Sequence, residues 1–217
     1  MKYLDHLLSD ADVRVLGALI EKEITTPDYY PLTLNALTNA CNQVLNRSPV
    51  VQYDEATVTG ALENLRKQNL VQQVKRSDSR VTKYGHVAAE TMSLDARELA
   101  VMCVLMLRGP QTVGEIRTRG TRLFDFPSLE EAEATLDGLI ARTSPLVARL
   151  PRRVGQKEVR YAHLMSGDVT FDTPDAAPAR THTDAERLDA LEEGMEALRT
   201  DMEELRTRLD QFRKQFE

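Results

Sequence analysis

The sequence contains no tryptophan, and aromatic residues make up only 5% of its 217 positions. So few aromatic rings argue against a protein that binds sugars or single-stranded nucleic acid by stacking. Long hydrophobic runs are also missing, since the longest, 99–107, is far shorter than the roughly 20 apolar residues of a membrane helix. The opening residues, MKYLDHLLSDAD, place acids where a signal peptide has an uninterrupted apolar segment. We therefore expect a cytoplasmic protein without a membrane partner.

Cysteine is equally scarce. Cys41 and Cys103 are the only two, and each falls in a predicted helix without a second Cys or a His at metal-binding spacing. We interpret both as small buried hydrophobic residues rather than as disulfide partners or metal ligands. The sequence also lacks a phosphate-binding glycine loop and a nucleophile elbow. We therefore expect no metal, no cofactor and no enzymatic activity, although a cleft between domains would not be visible in the sequence.

An excess of positive charge is absent as well, because the formal net charge is −6. Residues 180–217 contain 7 basic and 11 acidic residues, which leaves 21 basic and 23 acidic residues in 1–179. A body this close to neutral lacks the basic footprint of a protein that coats DNA non-specifically. Any surface that binds nucleic acid must therefore be a local patch.

What the sequence does contain is a repeat. Residues 30–37 (YPLTLNAL) resemble 109–116 (GPQTVGEI), and residues 83–87 (KYGHV) resemble 160–164 (RYAHL). Between the members of each pair, a short helical pattern, a longer helical pattern and an apolar strand pattern follow in the same order. Two diverged copies of one helix-helix-hairpin unit are the simplest explanation.

Each copy also begins with a helix start signal, Ser9 with Asp12 in the first and Asp95 with Glu98 in the second. Three helical patterns then precede a predicted β-hairpin, which is the order of a winged helix, a variant of the helix-turn-helix. We therefore predict a mainly α protein with small β-hairpins, of the α+β class. The predicted tandem winged-helix domains are residues 1–88 and 89–165.

The third helix of a winged helix usually lies in the major groove. Here that helix begins with acids in both copies, Asp54 and Glu55 in the first and Glu130 and Glu131 in the second, and carboxylates repel DNA. Basic residues are concentrated instead in a polar loop, in the hairpins and in the second helix of the second copy. The candidate nucleic-acid contact residues are Arg47, Lys75, Arg76, Arg80, Lys83, Arg117, Arg119, Arg122, Arg152, Arg153 and Lys157.

Structural interpretations of the same residues stay open. A charged hairpin also serves as a solvated edge that resists strand pairing. The polar residues of the loop 42–47 either satisfy backbone groups or form a binding surface with Arg80 and Lys83. His86 and His163 occupy matching places in the two hairpins, and we interpret them as packed strand residues rather than catalysts.

The C-terminal part has the cleanest periodicity in the chain. Residues 166–183 contain two prolines and few apolar residues, so we predict a linker. In 184–217 two sets of apolar residues each recur every seven positions, which predicts a coiled-coil helix that self-associates, by default as a two-fold dimer. The alternatives are a tail folded back on its own body or paired with another protein. The seam residues are Leu188, Leu191, Met195, Leu198, Met202, Leu205, Leu209, Phe212 and Phe216.

Several segments together resemble a known family. They are TTPDYYPLTLNAL (25–37), ACNQVLNRSPV (40–50), RVTKYGH (80–86), LMLRGPQTVGEIRTR (105–119) and VGQKEVRYAHLMSG (154–167). The chain resembles the YceH-like proteins, a family of bacterial cytoplasmic proteins of uncharacterised function. The resemblance implies tandem winged helices followed by a coiled coil, and it implies no activity. One departure is VLNR at 44–47, where relatives tend to carry a Lys before the Asn.

Two hypotheses about function follow. In the first, the protein is a dimeric winged-helix protein, DNA-associated or regulatory, that contacts phosphates with its wings and basic second-copy residues. In the alternative, the winged-helix modules form a protein–protein interaction scaffold that binds no nucleic acid. The fold, the local basic clusters and a dimerising tail support the first hypothesis, and the near-neutral body, the acidic third helices and the acidic tail support the alternative.

Overall fold

The computed structural model of the chain describes residues 7–74, 81–152 and 158–167. Within these ranges the regular structure is mostly helical, with two small antiparallel sheets, so the predicted α+β class is confirmed. Contacts between Cα atoms place all of the described residues in one compact unit. The predicted linker beyond residue 167 and the predicted coiled coil lie outside the described residues.

The first repeat consists of three helices and a three-stranded sheet. Its elements are α1 (Asp10–Thr25), a short 3₁₀ helix (Pro27–Tyr29), β1 (Leu32–Thr33), α2 (Leu34–Cys41), α3 (Glu55–Lys67), β2 (Val71–Val74) and β3 (Lys83–His86). The strand order is β1-β3-β2, and both pairs are antiparallel. Leu32 lies opposite Tyr84, and Val71 lies opposite His86.

The second repeat follows the same order of elements after a short helix, α4 (Ala88–Thr91). It comprises α5 (Ala96–Arg108), α6 (Val113–Gly120), α7 (Leu129–Ile140), β4 (Val147–Arg149) and β5 (Tyr161–His163). Strands β4 and β5 pair antiparallel, with Ala148 opposite Ala162. An isolated bridge between Gln111 and Tyr161 takes the place of the pair Leu32 and Tyr84 in the first repeat.

The helix starts follow from local hydrogen bonding. In each of the six longer helices a side chain at the N-cap accepts a hydrogen bond from the backbone N–H three residues later, which stabilises the helix by about 1 kcal/mol. The caps are Ser9, Thr33, Asp54, Asp95, Thr112 and Ser128. Helix α5 ends at Gly109, whose φ of 70° lies in the left-handed region that glycine adopts without strain.

The core is continuous across the two repeats because α1 packs against α5. Residues 99–107 of α5 are all buried, so this helix is surrounded by the rest of the fold. Gly17 lies at the contact, where an added Cβ would be 2.9 Å from Leu107 Cδ2. Cys41 and Cys103 are both buried, as predicted, and burial raises the pKa of Cys41 to about 12. None of the described helices combines the length and apolar content needed to cross a membrane.

The two hairpin histidines are packed in different surroundings. His86 Nδ1 accepts a 3.3 Å hydrogen bond from the N–H of Ala88, and Nε2 lies 2.7 Å from a carboxylate oxygen of Glu23. Burial lowers the pKa of His86, against the opposing effect of Glu23. Burial also lowers the pKa of His163, to about 4, and the charge of Asp10 opposes it only in part. Both histidines are therefore neutral in the folded protein at pH 7.

The burial of His163 predicts a pH-dependent stability. Its pKa in the unfolded chain is near 6.5, so the unfolded chain binds more protons than the fold between pH 6.5 and 4, and acid destabilises the fold. Between pH 7 and pH 5 this one group should lower the free energy of unfolding by about 2 kcal/mol. Urea denaturation at the two pH values should show that the free energy of unfolding falls less for His163→Gln than for the parent protein. An equal fall in both proteins would contradict a lowered pKa of His163.

Candidate functional site

The structure describes six of the eleven residues that the sequence predicts as nucleic-acid contacts. These are Arg47, Lys83, Arg117, Arg119, Arg122 and Arg152. Lys75, Arg76, Arg80, Arg153 and Lys157 lie outside the described residues, as does the predicted seam from Leu188 to Phe216.

Arg47 is buried, and its inclusion among surface contacts needs correction. Its side chain is 0% exposed, and its guanidinium donates to both carboxylate oxygens of Glu21, at 3.0 and 2.6 Å. The same group donates to the backbone oxygens of Ala40 and Asn46 and to the side chain of Gln43. Arg47 therefore fastens the loop 42–49 to α1 and has no surface left for a phosphate.

The buried pair predicts a large cost for removing one partner. Arg47→Met should lower the free energy of unfolding by about 3 kcal/mol, because it leaves the Glu21 carboxylate without its partner in a buried site. Urea denaturation at pH 7 measures this change. Arg122→Ala, which removes an exposed guanidinium, should change the same quantity by less than about 0.5 kcal/mol. A similarly small change for Arg47→Met would show that the pair is not structural.

The arginines that follow in and after α6 are all exposed, but they contact different groups. Arg117 donates to the backbone oxygens of Phe126 and Pro127, at 3.1 and 3.3 Å, and so holds the segment that leads into α7. Arg119 donates to the side chain of Gln111 and lies 3.4 Å from a carboxylate oxygen of Glu115. No residue in the described part of the chain pairs with the side chain of Arg122.

Arg119 and Arg122 face a cavity of about 390 Å³ between the two repeats. We call it the inter-repeat cavity. Its walls come from the last turns of α1 and α5, the loop 43–46, and the end of α6. The lining residues are Glu21, Lys22, Thr25, Thr26, Gln43, Val44, Leu45, Asn46, Val104, Leu107, Arg108, Arg119, Arg122 and Leu123.

A second concave surface lies on the first repeat between α3 and β2. This α3–β2 groove has a volume of about 910 Å³ and is open to solvent; it is lined by Glu63, Arg66, Lys67, Val71, Gln72 and Gln73. Arg66 and Lys67 are exposed, and neither side chain has a hydrogen-bond or ion-pair partner within 7–74, 81–152 and 158–167. Lys83 is half-buried on the neighbouring strand β3, opposite Val74.

Arg66 and Lys67 are not among the eleven candidate contact residues, although both are exposed on the third helix. The signal that could have found them is their place in the chain. They end the helix that leads directly into the hairpin, so they lie beside the first strand of that hairpin.

The corresponding face of the second repeat is acidic. The exposed charged residues of α7 are Glu130, Glu133 and Asp137. Arg142, just after this helix, points inward and donates to the backbone oxygens of Met92 and Ser93 and, at 2.7 Å, to Glu98. Arg152 is exposed, and it shares its surface with Arg149, Glu133 and Glu158. The exposed side of α7 is thus acidic, and the two arginines beside it are matched by two glutamates.

Comparison with known proteins places the chain among proteins without an assigned activity. A family described as "Protein of unknown function, DUF480" matches residues 8–156. A UPF0502 protein of Geotalea uraniireducens is 51% identical over 216 residues, covering 97% of this chain and 98% of the relative. One of Citrifermentans bemidjiense is 51% identical over 217 residues, covering 99% and 100%. One of Opitutus terrae is 54% identical over 173 residues, covering 79% and 75%.

Proposed function

The chain belongs to the DUF480 family, in agreement with its resemblance to the YceH-like proteins, and we propose that it is a dimeric winged-helix protein that associates with DNA through its first repeat. Each repeat is a winged helix in this proposal, acting in the cytoplasm without catalysing a reaction. Helix α3 is the DNA-facing helix of the first repeat, and the hairpin of β2 and β3 is its wing. The order of three helices and a hairpin supports this assignment.

The observation that carries the proposal is the composition of the α3–β2 groove. It presents two cations without described partners, Arg66 and Lys67, two glutamines and a single acid, Glu63. Cationic side chains hold phosphates, and amide side chains hydrogen-bond to phosphates and base edges. The sequence adds Lys75, Arg76 and Arg80 in the connection between β2 and β3, against one acid, Asp78. Several basic residues of the first repeat thus fall in the stretch of sequence that runs from the end of α3 to the start of β3.

The charge distribution along α3 indicates how DNA would approach. Asp54 and Glu55 occupy the start of the helix, and hydrogen bonds from Thr57 hold the pKa of Asp54 below its usual range, so the carboxylate stays ionised. These acids repel phosphate, whereas Arg66 and Lys67 at the other end attract it. We therefore infer that the end of α3 and the wing contact the phosphate backbone, which fixes position more than it selects sequence.

This proposal predicts which cations control the salt dependence of binding. In Arg66→Ala/Lys67→Ala the slope of log K against log salt concentration should become shallower by about 2, because each phosphate contact contributes about 0.9 to it. Fluorescence anisotropy of a labelled 20-base-pair duplex, measured over a series of salt concentrations, gives the slope. Arg149→Ala/Arg152→Ala removes the same charge from the second repeat and should leave the slope unchanged.

Two results would contradict the assignment. The first is no detectable binding of the parent protein to the duplex at low salt. The second is an equal change of slope in the two double variants, which would mean that the chain attracts DNA without using a particular face.

Self-association is the second part of the proposal, and it rests on the sequence of residues 184–217. A seam residue buried against a partner helix contributes about 1.5–3 kcal/mol, which an isolated helix in water does not gain. In a parallel pair, Arg187 with Glu192 and Asp201 with Arg206 would attract, while Arg208 with Arg213 would repel. Two-fold symmetry would then present two α3–β2 grooves to one duplex.

If the seam forms the dimer, then charged residues placed in the middle of the seam should disrupt it. Leu198→Asp/Leu205→Asp should convert the dimer to a monomer, because both carboxylates would have to be buried in the seam. Sedimentation equilibrium distinguishes one 24.4 kDa chain from two. Thr200→Asp/Thr207→Asp adds the same charge on the opposite side of the predicted helix and should leave the dimer intact. A parent protein that sediments as a monomer would rule out the predicted dimer.

The alternative function, a protein–protein interaction scaffold, is favoured by one specific surface. The exposed side of α7 combines Glu130, Glu133 and Asp137 with Leu129, whose side chain is 45% exposed. A basic partner protein with an apolar contact residue would suit this face. Recovery of a stoichiometric protein partner free of nucleic acid, together with no binding to the duplex, would favour the scaffold over DNA association.

A further inference from the structure

The walls of the inter-repeat cavity are of two kinds. Val104, Leu107 and Leu123 form an apolar side, and the exposed side chains of Val44 and Leu45 extend it at the edge. Four cations form the other side. They are Lys22, Arg108, Arg119 and Arg122.

The positive charge of this cavity is only partly balanced. Among the described lining residues Glu21 is the one acid, and both of its carboxylate oxygens already accept hydrogen bonds from the buried Arg47. Lys22 lies 3.7 Å from one of the same oxygens and donates to the side chain of Gln43. Glu115, the acid nearest to Arg119, is shared with Arg160 at 2.8 Å. Among the described residues, Arg108 donates to the neutral side chain of Asn46 and forms no ion pair. An anion entering the cavity would therefore meet two cations, Arg108 and Arg122, that no acid in the described part of the protein pairs with.

The charges also influence one another. Burial lowers the pKa of Arg108, and the nearby positive charge of Arg119 lowers it further. An anion between these guanidinium groups would relieve their mutual repulsion. This electrostatic effect adds to the geometric arrangement, in which arginines from the end of α5 and from α6 converge on one space.

The loop that closes the cavity is held in place by several hydrogen bonds. Arg14 donates to the backbone oxygens of Cys41 and Pro49, and the N–H of Ser48 donates to the backbone oxygen of Leu107 at 2.9 Å. Asn46 has a φ of 64°, a left-handed conformation that asparagine tolerates, and its side chain meets Arg108. Because this loop is already ordered by these hydrogen bonds, binding a ligand would not lose the conformational entropy of ordering it.

We propose that the inter-repeat cavity binds a small organic anion in which a phosphate or carboxylate group is joined to an apolar body. The planar guanidinium groups of Arg108, Arg119 and Arg122 bind the anionic group, since such forks match phosphate and carboxylate oxygens. The apolar body lies against Leu107 and Leu123. The volume of about 390 Å³ falls within the range of small-molecule sites, roughly 300–1,000 Å³. This site is separate from the α3–β2 groove and does not depend on DNA association.

Isothermal titration calorimetry of the full chain with four probes tests the proposal. 1-Naphthyl phosphate and 1-naphthoate each combine an anion with an apolar ring, whereas 1-naphthol has only the ring and inorganic phosphate only the anion. At least one of the two combined probes should bind tenfold or more tightly than both 1-naphthol and inorganic phosphate. The tighter of the two combined probes identifies the preferred anionic group.

Substitutions at the cavity edge locate the binding. Arg122→Ala should weaken binding of the preferred probe about tenfold, in line with the loss of a charge-assisted hydrogen bond, and Arg122→Glu should weaken it further. Because Arg122 has no partner in the described ranges, neither change should affect folding. Arg66→Ala, which removes the same charge from the α3–β2 groove, should leave the affinity of the probe unchanged.

Three outcomes would overturn the proposal. They are no binding of either combined probe at millimolar concentration, equal affinity for 1-naphthol, and equal weakening by Arg122→Ala and Arg66→Ala. Failure here is distinguishable from failure of DNA association, because Arg122→Ala should leave the salt slope of duplex binding unchanged. In turn, Arg66→Ala/Lys67→Ala should change that slope without changing affinity for the probe.

Discussion

The close contact of α1 with α5 at Gly17 is the constraint on which the rest of the structure depends. A Cβ at this position would lie 2.9 Å from Leu107 Cδ2 and 3.3 Å from Met106 Cβ, so any side chain would force the Leu107 side chain, which lines the cavity, to shift. The last turns of the same helices carry Lys22 and Arg108, which line the inter-repeat cavity. The distance between the helices at Gly17 therefore also sets the width of the cavity. One glycine joins the two repeats into a single core and determines the shape of the space between them.

Much of the fold could be predicted because its signals are local. The pair Asp95 and Glu98 predicts a helix from residue 95 to 108, and the structure has it at Ala96–Arg108, with the capping box formed. The apolar residues around this helix predict burial on most sides, and 99–107 are all buried. Caps, glycine and proline positions and hydrophobic periodicity act within a few residues, so a single sequence displays them. The repeat adds a check on the predicted helices and strands, because the same elements should occur in the same order in both copies.

The candidate sites could not be predicted in the same way, since they depend on partners far apart in the chain. Arg47 was expected at the surface because charged residues are mostly exposed, yet it pairs with Glu21, 26 positions away. His86 Nε2 likewise lies 2.7 Å from a carboxylate oxygen of Glu23, although the two residues are 63 positions apart in the chain. Periodicity indicates which side of a helix faces inward, but it does not indicate which side chains from other elements contact that side. The inter-repeat cavity, formed by α1, a loop, α5 and α6, is for that reason invisible in the sequence.

The two proposed sites use positive charge in physically different ways, which explains how a chain of net charge −6 can have both. The α3–β2 groove is open, so its cations are hydrated and screened by salt over about 10 Å, and it needs a ligand with many charges to gain affinity. Arg108, in the inter-repeat cavity, is half-buried and shielded from water, where one charge interacts more strongly. A polymer of phosphates suits the first environment, and a single anionic group suits the second. The two sites also draw on the repeats differently, because Arg66 and Lys67 of the groove belong to the first repeat alone, whereas the cavity takes Lys22 from the first repeat and its three arginines from the second.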